Sequence, residues 1–150
     1  MSQRNAFLVA VLSQMHAPYR WGGKGERDSV TSQRVFDCSG LVTWALREVG
    51  GPDWRNTHNT DALLAQCIPV PRVEELLPGD LVLYHGKGAP LDAEHVMVHV
   101  GGGVVVGASG GGSTTLTLAD AEKSNACVKV FGSLDYRARR MGMRRLPFRS

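Results

Sequence analysis

Cys38 is the first residue whose type and setting could support nucleophilic catalysis. It lies in the segment FDCSG (36–40), directly before LVTWALREVGG (41–51), whose apolar spacing predicts a helix. A cysteine at a helix N-terminus lies near backbone N–H groups and the positive end of the helix dipole, which lower the pKa of a thiol. The same N–H groups can hold an oxyanion during acyl transfer, and Gly40 would leave space for a substrate backbone. The alternative is an ordinary buried cysteine.

His95 is the candidate base for this nucleophile. It opens the segment HVMVHV (95–100), after the acidic residues Asp92 and Glu94. A histidine at a strand end can face a cleft while its strand stays in the core; the alternative is a surface histidine at a strand start. His99 follows four positions later, which on a strand is about 13 Å away at ~3.3 Å per residue. The pair therefore cannot share one zinc ion, and we expect no metal there.

The elements that must position these residues divide the chain into two halves. Apolar spacing in the first half predicts one helix that ends before Pro18 and one that runs from about Cys38 to Gly50. The capping candidates Asn59 and Thr60 predict a short helix over 61–67. The second half predicts strands, with a hairpin around the glycines 101–103. The predicted strands cover 81–85, 95–100, 104–109, 114–118, 127–131 and 136–145. Helices followed by strands favour an α+β fold with an antiparallel sheet.

Length and composition restrict the class of protein. The chain has 150 residues, of which 43% are hydrophobic and 21% charged, so we expect one globular domain over 1–150 rather than a disordered chain. Its apolar runs are too short for a transmembrane helix. Three cysteines without a CxxC pair argue against a disulfide framework or a zinc knuckle, and Cys67 and Cys127 are predicted to lie in the core. The glycine-rich segments match no nucleotide-binding fingerprint, and we expect no cofactor.

Basic residues are concentrated at the C-terminal end of a chain whose net charge is +3. The last fourteen residues contain Arg137, Arg139, Arg140, Arg144, Arg145 and Arg149. Such a cluster suits an anionic polymer, a nucleic acid or a membrane surface. The favoured interpretation is instead a solvated edge strand guarded by charge. Nucleic acid is not an expected partner, because no aromatic stacking motif accompanies the arginines.

The N-terminal segment could be a signal peptide or a helix. Its apolar stretch 6–12 is barely long enough for a signal, and no small-residue cleavage site follows it. An amphipathic helix is favoured by the spacing of Phe7, Leu8, Val11, Leu12 and Met15. We therefore expect a protein made in the cytoplasm without a standard export signal.

Four motifs, taken in order, resemble the NlpC family of papain-like cell-wall cysteine peptidases. They are PYRWGG (18–23), FDCSGLV (36–42), PGDLV (78–82) and HVMV (95–98) with Gly101. The resemblance extends from about residue 5 to about residue 110 and more weakly to the end. It implies a papain-like core in which N-terminal helices pack on an antiparallel sheet and the cysteine helix faces the histidine strand. It implies Cys38 as the nucleophile and His95 as the general base and later the acid.

The resemblance also implies roles for residues around the catalytic pair. Tyr19 would lie near the thiol and help bind substrate or the oxyanion, while Asp37 and Ser39 would shape the pocket for the polar end of a peptide. Asp37 is also a candidate helix N-cap. The family's third polar residue falls about twelve positions after the histidine, where this chain has Gly107. Ser109 shares the strand face of that position and is the substitute candidate, with a backbone carbonyl, a water or a Cys–His dyad as alternatives.

The function implied by the resemblance is hydrolysis of an amide bond in the stem peptide of peptidoglycan, after D-glutamate. Without a signal peptide, the chain resembles members that a phage tail or a secretion machine delivers to the bacterial wall, and the segment LDYRARRMGMRRLPF (134–148) resembles phage versions. Two other functions stay open. One is a catalytically inert papain-like module that has a structural or wall-binding role, which Gly107 favours. The other is an amidase or acyltransferase that uses the same Cys–His pair.

Overall fold

A six-stranded antiparallel sheet and the helices packed on it bring the two halves of the chain together. The computed structural model describes residues 1–149. The helices are α1 (Gln3–Leu12), α2 (Cys38–Glu48), α3 (Thr60–Gln66) and α4 (Leu118–Lys123). The strands are β1 (Lys24–Arg27), β2 (Arg34–Phe36), β3 (Ile68–Pro69), β4 (Leu81–Gly86), β5 (Ala89–Gly101), β6 (Val104–Ser109), β7 (Cys127–Phe131) and β8 (Arg140–Arg145). The predicted α+β class is confirmed.

The order of strands in the large sheet is β3-β8-β4-β5-β6-β7, and β1 and β2 form a separate two-stranded sheet. β4 and β5 pair so that Tyr84 lies opposite His95, and the next pair towards the core is Leu83 with Val96. β6 joins β5 through the pairs of Val98 with Val106 and His99 with Val105. β5 is therefore an interior strand. It begins at Ala89, so His95 lies in its middle and does not open the strand as predicted.

The two faces of this sheet pack against different parts of the chain. Alternate residues of a strand point to opposite faces. Leu83, Val96 and Val98 belong to the main core, together with Phe7 of α1 and Leu41 of α2, all fully buried. The opposite face carries a smaller cluster of Val82, Tyr84, Met97, Val105 and Leu134. Burial of each large apolar side chain stabilises the fold by ~1.5–3 kcal/mol, which holds α2 firmly against β5.

Most of the predicted elements are confirmed, and three strand predictions are wrong, including the start of β5, which lies at Ala89 rather than at His95. The segment 114–118 is not a strand, because Thr117 caps α4 in a capping box with Asp120. The last strand begins at Arg140 rather than at residue 136. Short elements were not predicted, namely β1, β2, β3 and α4. Strands of two to four residues are too short for a period of two to stand out from the sequence.

The interpretation of the C-terminal arginines as guards of an edge strand is wrong. β8 lies inside the sheet, between β3 and β4. Arg145 binds the fully buried Asp80 through both carboxylate oxygens, at 2.9 and 2.8 Å, and Arg4 of α1 adds a contact at 3.2 Å. Burial opposes ionisation of Asp80, but the hydrogen bonds from Arg145, the Leu77 N–H and Arg4 outweigh it and lower its pKa. This ion cluster fastens α1 and β8 to the start of β4.

Two further sequence expectations concern the cysteines and the membrane. Cys67 is buried as predicted, whereas Cys127 is only half-buried on β7, and the three thiols are free. Within residues 1–149, none of the helices has the length and apolar character needed to span a bilayer.

Candidate active site

The N-terminus of α2 is built by Asp37 and by the glycine-rich loop before β1. The Asp37 carboxylate accepts the Gly40 N–H at 2.7 Å, which confirms the N-cap prediction, and accepts the Gly22 N–H at 3.0 Å. The Gly23 carbonyl in turn accepts the Asp37 N–H at 2.9 Å. A Cβ at Gly40 would collide with that carbonyl oxygen. Gly40 therefore makes room for the chain's own loop, and the expectation that it admits a substrate backbone is wrong.

The Cys38 thiol reaches β5 directly beside His95. Its sulfur lies near the backbone N–H of Val96, the residue that follows His95, and this N–H acts to lower the pKa of the thiol. Cys38 is 8% exposed. Burial, with a smaller contribution from the Asp37 carboxylate, raises the pKa of the thiol to about 12, although nearby backbone N–H groups act in the opposite direction. The expectation that the helix N-terminus lowers this pKa is wrong, because the loss of water around the sulfur outweighs the dipole.

The His95 imidazole is held neutral in the same region. His95 is 6% exposed. Burial, together with the nearby Arg137 cation, lowers the pKa of its imidazole to about 3. Its Nε2 lies 2.7 Å from the hydroxyl of Tyr136. The resting site therefore combines a neutral thiol with a neutral imidazole.

Tyr136 is the site residue that sequence reasoning missed. It lies in the connection between β7 and β8, and its ring stacks on Phe131 with centroids 3.9 Å apart. The edge of Tyr84 packs against it at 5.7 Å. No spacing rule links Tyr136 to a histidine 41 positions earlier in the chain. The only sequence signal is an aromatic residue within the basic C-terminal segment.

Gly107 and Ser109 occupy the strand next to His95. Continuing the β5–β6 register places Gly107 opposite Met97 and Ser109 opposite His95. A Cβ at Gly107 would lie 2.6 Å from the Met97 sulfur, so the Met97 side chain fills the space of a side chain at 107. Ser109 is buried and lies beside the Tyr136 hydroxyl. Tyr136 therefore makes the contact with His95 Nε2 that was expected of Ser109. Ser109 lies beside the Tyr136 hydroxyl instead.

Tyr19, Asp37 and Ser39 gather around the thiol as the resemblance implies. Tyr19 is buried, and burial together with the charges of Cys38 and Asp37 raises the pKa of its phenol. Burial also raises the pKa of Asp37. The Ser39 hydroxyl donates to Asp37 at 3.4 Å and is half-buried. These three side chains form a polar wall beside the sulfur.

A cavity of about 290 Å³ opens next to this wall. Asp37 and Ser39 line it on one side. Its other lining residues are Lys24, Arg55, Asn56, Thr57, His58 and Asn59. Lys24 and Arg55 are its basic residues. The Arg55 guanidinium is paired with both carboxylate oxygens of Asp53 at 2.8 and 2.9 Å, so Lys24 is the cation that suits a ligand with a carboxylate.

His99 has a structural role on the same strand as His95. Its Nδ1 lies 3.1 Å from the Leu77 carbonyl, and its Nε2 accepts the Gly103 N–H at 3.2 Å. The His99 Nε2 therefore holds the β5–β6 turn, and its Nδ1 ties β5 to the segment before β4. Among residues 1–149, no three His, Cys, Asp or Glu side chains are grouped to hold a metal ion.

Comparison with known proteins places this arrangement in a family. Over 106 residues the chain is 35% identical to the "Probable endopeptidase Rv2190c" of Mycobacterium tuberculosis, covering 71% of this chain and 23% of that protein. It is 38% identical over 93 residues to the "Murein DD-endopeptidase MepH" of Escherichia coli, covering 62% of this chain and 31% of that protein. The chain thus spans less than a third of these relatives.

A solved structure supports the fold. NlpC1 from Trichomonas vaginalis superposes with a TM-score of 0.71 at 22% identity, over 96% of this chain and 44% of that one. Residues 16–130 match the profile of the NlpC/P60 family, and this stretch includes Cys38, His95 and the polar wall. The resemblance noted in the sequence is confirmed: the chain belongs to the NlpC/P60 family.

Proposed function

We propose that this protein is a cysteine peptidase that hydrolyses an amide bond in the stem peptides of bacterial peptidoglycan. Cys38 is the nucleophile, and His95 is the general base and then the general acid. The observation that carries the proposal is the position of the Cys38 sulfur near the Val96 N–H, which places the start of α2 against β5 at the residue next to His95. Relatives of this chain that are named endopeptidases support the reaction class.

The reaction begins from the neutral pair. As the sulfur attacks the carbonyl carbon of the substrate, its proton passes to His95, and the electron pair of the C=O bond moves onto oxygen. Backbone N–H groups at the start of α2 stabilise this oxyanion. When the tetrahedral intermediate collapses, His95 donates the proton to the leaving amine and a thioester remains. Water then attacks the thioester with His95 as base, which releases the carboxylic acid and restores the thiol.

Burial explains why proton transfer and attack go together. A charged thiolate–imidazolium pair is disfavoured in this water-poor site, as the raised pKa of Cys38 and the lowered pKa of His95 indicate. The developing negative charge moves from sulfur to the carbonyl oxygen, where N–H donors can compensate for it. Negative charge is therefore stabilised in this site only when the substrate carbonyl oxygen is present to take it up.

The polar wall and the basic cavity are the proposed binding site for the stem peptide. Tyr19, Asp37 and Ser39 hold the polar end of the peptide, and Lys24 attracts a carboxylate of the substrate. The proposed scissile bond follows D-glutamate. The name of the relative MepH, a murein DD-endopeptidase, makes a bond between two D-residues the alternative. Action at the bacterial wall, and delivery by a phage tail or a secretion machine, belong to the same proposal.

An inert wall-binding module is the second candidate function. Two observations favour it, namely the buried thiol, whose pKa is raised to about 12, and the missing side chain at Gly107. An amidase or acyltransferase that uses the same Cys–His pair would retain the chemistry and change the substrate.

Mass spectrometry of peptidoglycan fragments separates these functions. Purified peptidoglycan is incubated with the wild-type protein, with Cys38→Ala, and with Cys127→Ala as a matched control on the half-buried cysteine of β7. We expect new fragments from the wild type and the control and none from Cys38→Ala, and the new termini identify the bond. Unchanged turnover by Cys38→Ala would reject the mechanism. A folded wild type that releases no fragment would support the inert module.

A further inference from the structure

We propose that Tyr136 is the positioning residue for His95: its hydroxyl accepts the Nε2–H hydrogen of the imidazole and so keeps Nδ1 unprotonated and ready to take the Cys38 proton. This inference rests on the proposed function, because it concerns how the base of that reaction is prepared. It assigns a role to a residue from the β7–β8 connection, outside the four motifs of the sequence.

The contact itself is short and specific. The Tyr136 hydroxyl lies 2.7 Å from His95 Nε2, well within the range of a strong hydrogen bond. A neutral imidazole has one N–H and one acceptor nitrogen, so the partner of Nε2 decides the state of Nδ1. If Nε2 donates to Tyr136, Nδ1 can act as a base. If Tyr136 donates to Nε2 instead, Nδ1 carries the hydrogen and the base is lost.

Ser109 is the inferred second acceptor that this arrangement needs. A phenol that accepts from Nε2 must direct its own hydrogen elsewhere. The Ser109 side chain lies beside the Tyr136 hydroxyl, and continuing the strand register places it opposite His95. The inferred chain of hydrogen bonds therefore runs from His95 through Tyr136 to Ser109. In this arrangement Ser109 acts on His95 only through Tyr136.

The tyrosine ring is held in place before any substrate arrives. Phe131 stacks on one face of it at an interplanar angle of 10°, and Tyr84 packs on it at 75°. The Tyr84 ring is itself fully buried. A hydroxyl carried by a ring packed in this way can hold an imidazole at one orientation.

The packing at Gly107 explains why the partner comes from the β7–β8 connection. Met97 fills the space that a side chain at 107 would need, which leaves β6 without a polar group until Ser109. A neutral phenol also suits a neutral imidazole. A carboxylate at this place would stabilise the imidazolium, whereas burial raises the pKa of Tyr136 and keeps it uncharged. Arg137, which pairs with Glu94 at 3.3 Å, adds a positive charge that further disfavours the imidazolium.

The tautomer of His95 is the decisive readout. Long-range ¹H–¹⁵N NMR of the histidine rings distinguishes Nε2–H from Nδ1–H without any substrate. We expect Nε2–H in the wild type and a loss of that preference in Tyr136→Phe. The matched control is Tyr84→Phe, which removes a neighbouring buried hydroxyl that does not touch the imidazole nitrogens. It should leave the tautomer unchanged.

Kinetics test the consequence of this preference. Tyr136→Phe should lower kcat on peptidoglycan fragments by on the order of 100-fold with little change in KM, because the phenol touches His95 rather than the substrate. Ser109→Ala should lower kcat less. A wild-type Nδ1–H tautomer, or a Tyr136→Phe variant with unchanged tautomer, would overturn the inference whatever the rate. If the wild type shows no turnover, the proposed function fails while the tautomer still decides the role of Tyr136.

Discussion

Burial decides the protonation states of Cys38 and His95. Cys38 lies at the start of a helix, where backbone N–H groups favour a thiolate, whereas the Arg137 cation near His95 disfavours an imidazolium. The site is so poor in water that the neutral forms prevail, with a thiol pKa raised to about 12 and an imidazole pKa lowered to about 3. This differs from a preformed ion pair, and the difference can be measured by alkylation.

Alkylation of Cys38 should be slow at neutral pH and should increase steadily with pH. Because the thiol pKa is raised to about 12, the thiolate fraction keeps growing towards alkaline pH. The measurement is the rate of iodoacetamide modification at Cys38, followed by mass spectrometry of the peptide that contains it. His95→Gln should give the same pH dependence, since no ion pair is lost.

A plateau of fast alkylation between about pH 5 and 7 in the wild type would contradict the neutral pair, since reactive ion-paired thiols titrate at ~3.5–7.5. Slow alkylation does not by itself favour the inert module. In a neutral pair, charge develops only when the substrate carbonyl is present. The deciding experiment therefore remains the comparison of turnover by the wild type with turnover by Cys38→Ala.

At the scale of elements, the site depends on the contact between the loop 20–23 and the start of α2. Asp37 joins the two by accepting from Gly22 and from Gly40, and the Gly23 carbonyl occupies the space beside Gly40. Because Cys38 is the first residue of α2, any shift of this helix end moves the sulfur relative to β5. The glycines of this region therefore allow the backbone of the loop to pack closely against the backbone at the start of α2.

Gly40→Ala should destabilise the protein, although alanine is favoured over glycine in a helix by ~1 kcal/mol. The new Cβ would collide with the Gly23 carbonyl oxygen, so we expect a net loss of ~1–3 kcal/mol in the free energy of unfolding. Turnover should fall as well, since the sulfur would move. Urea denaturation measures the stability. Gly132→Ala is the control, because nothing lies within 4 Å of a Cβ there; equal stability of the two variants would contradict this account.

At the scale of the whole molecule, the ion cluster around Asp80 ties the N-terminal helix to the C-terminal strand. Arg4 lies on α1, Asp80 at the start of β4 and Arg145 on β8. β4 carries Tyr84 and pairs with β5, so the cluster supports the strand that carries His95. The C-terminal arginines within residues 1–149 therefore stabilise the fold in addition to placing positive charge on the surface.

Asp80→Asn should lower the free energy of unfolding by ~3–5 kcal/mol, because it leaves Arg145 and Arg4 without their shared anion. The pKa of Asp80 is lowered in the folded state, so its contribution is present above the unfolded pKa of ~3.9 and is lost as pH falls below it. Thermal unfolding at pH 7 and at pH 3 measures both effects. Asp92→Asn, at an exposed position, is the control and should change little. A variant as stable as this control would show that the cluster adds nothing.

Local patterns in the sequence determined much of this protein. Periodicity predicted α1, α2 and the β5–β6 hairpin, since these elements are long enough for their buried faces to show. The motifs around Cys38 and His95 were recognisable because each is a short contiguous segment. Asp37 could be predicted as an N-cap from its position alone, because capping involves only neighbouring residues.

Only the tertiary structure decided how the site is completed. Tyr136 reaches His95 through the packing of Phe131 and Tyr84, a contact that spans 41 positions and follows no local pattern. The pKa of Cys38 depends on how much water the folded chain excludes, and this burial reversed the expectation from the helix dipole. For the same reason, the sequence could not predict the contact of the loop 20–23 with Gly40 or the position of β8 inside the sheet. Each is a contact between distant segments, which the chain makes only when folding brings them together.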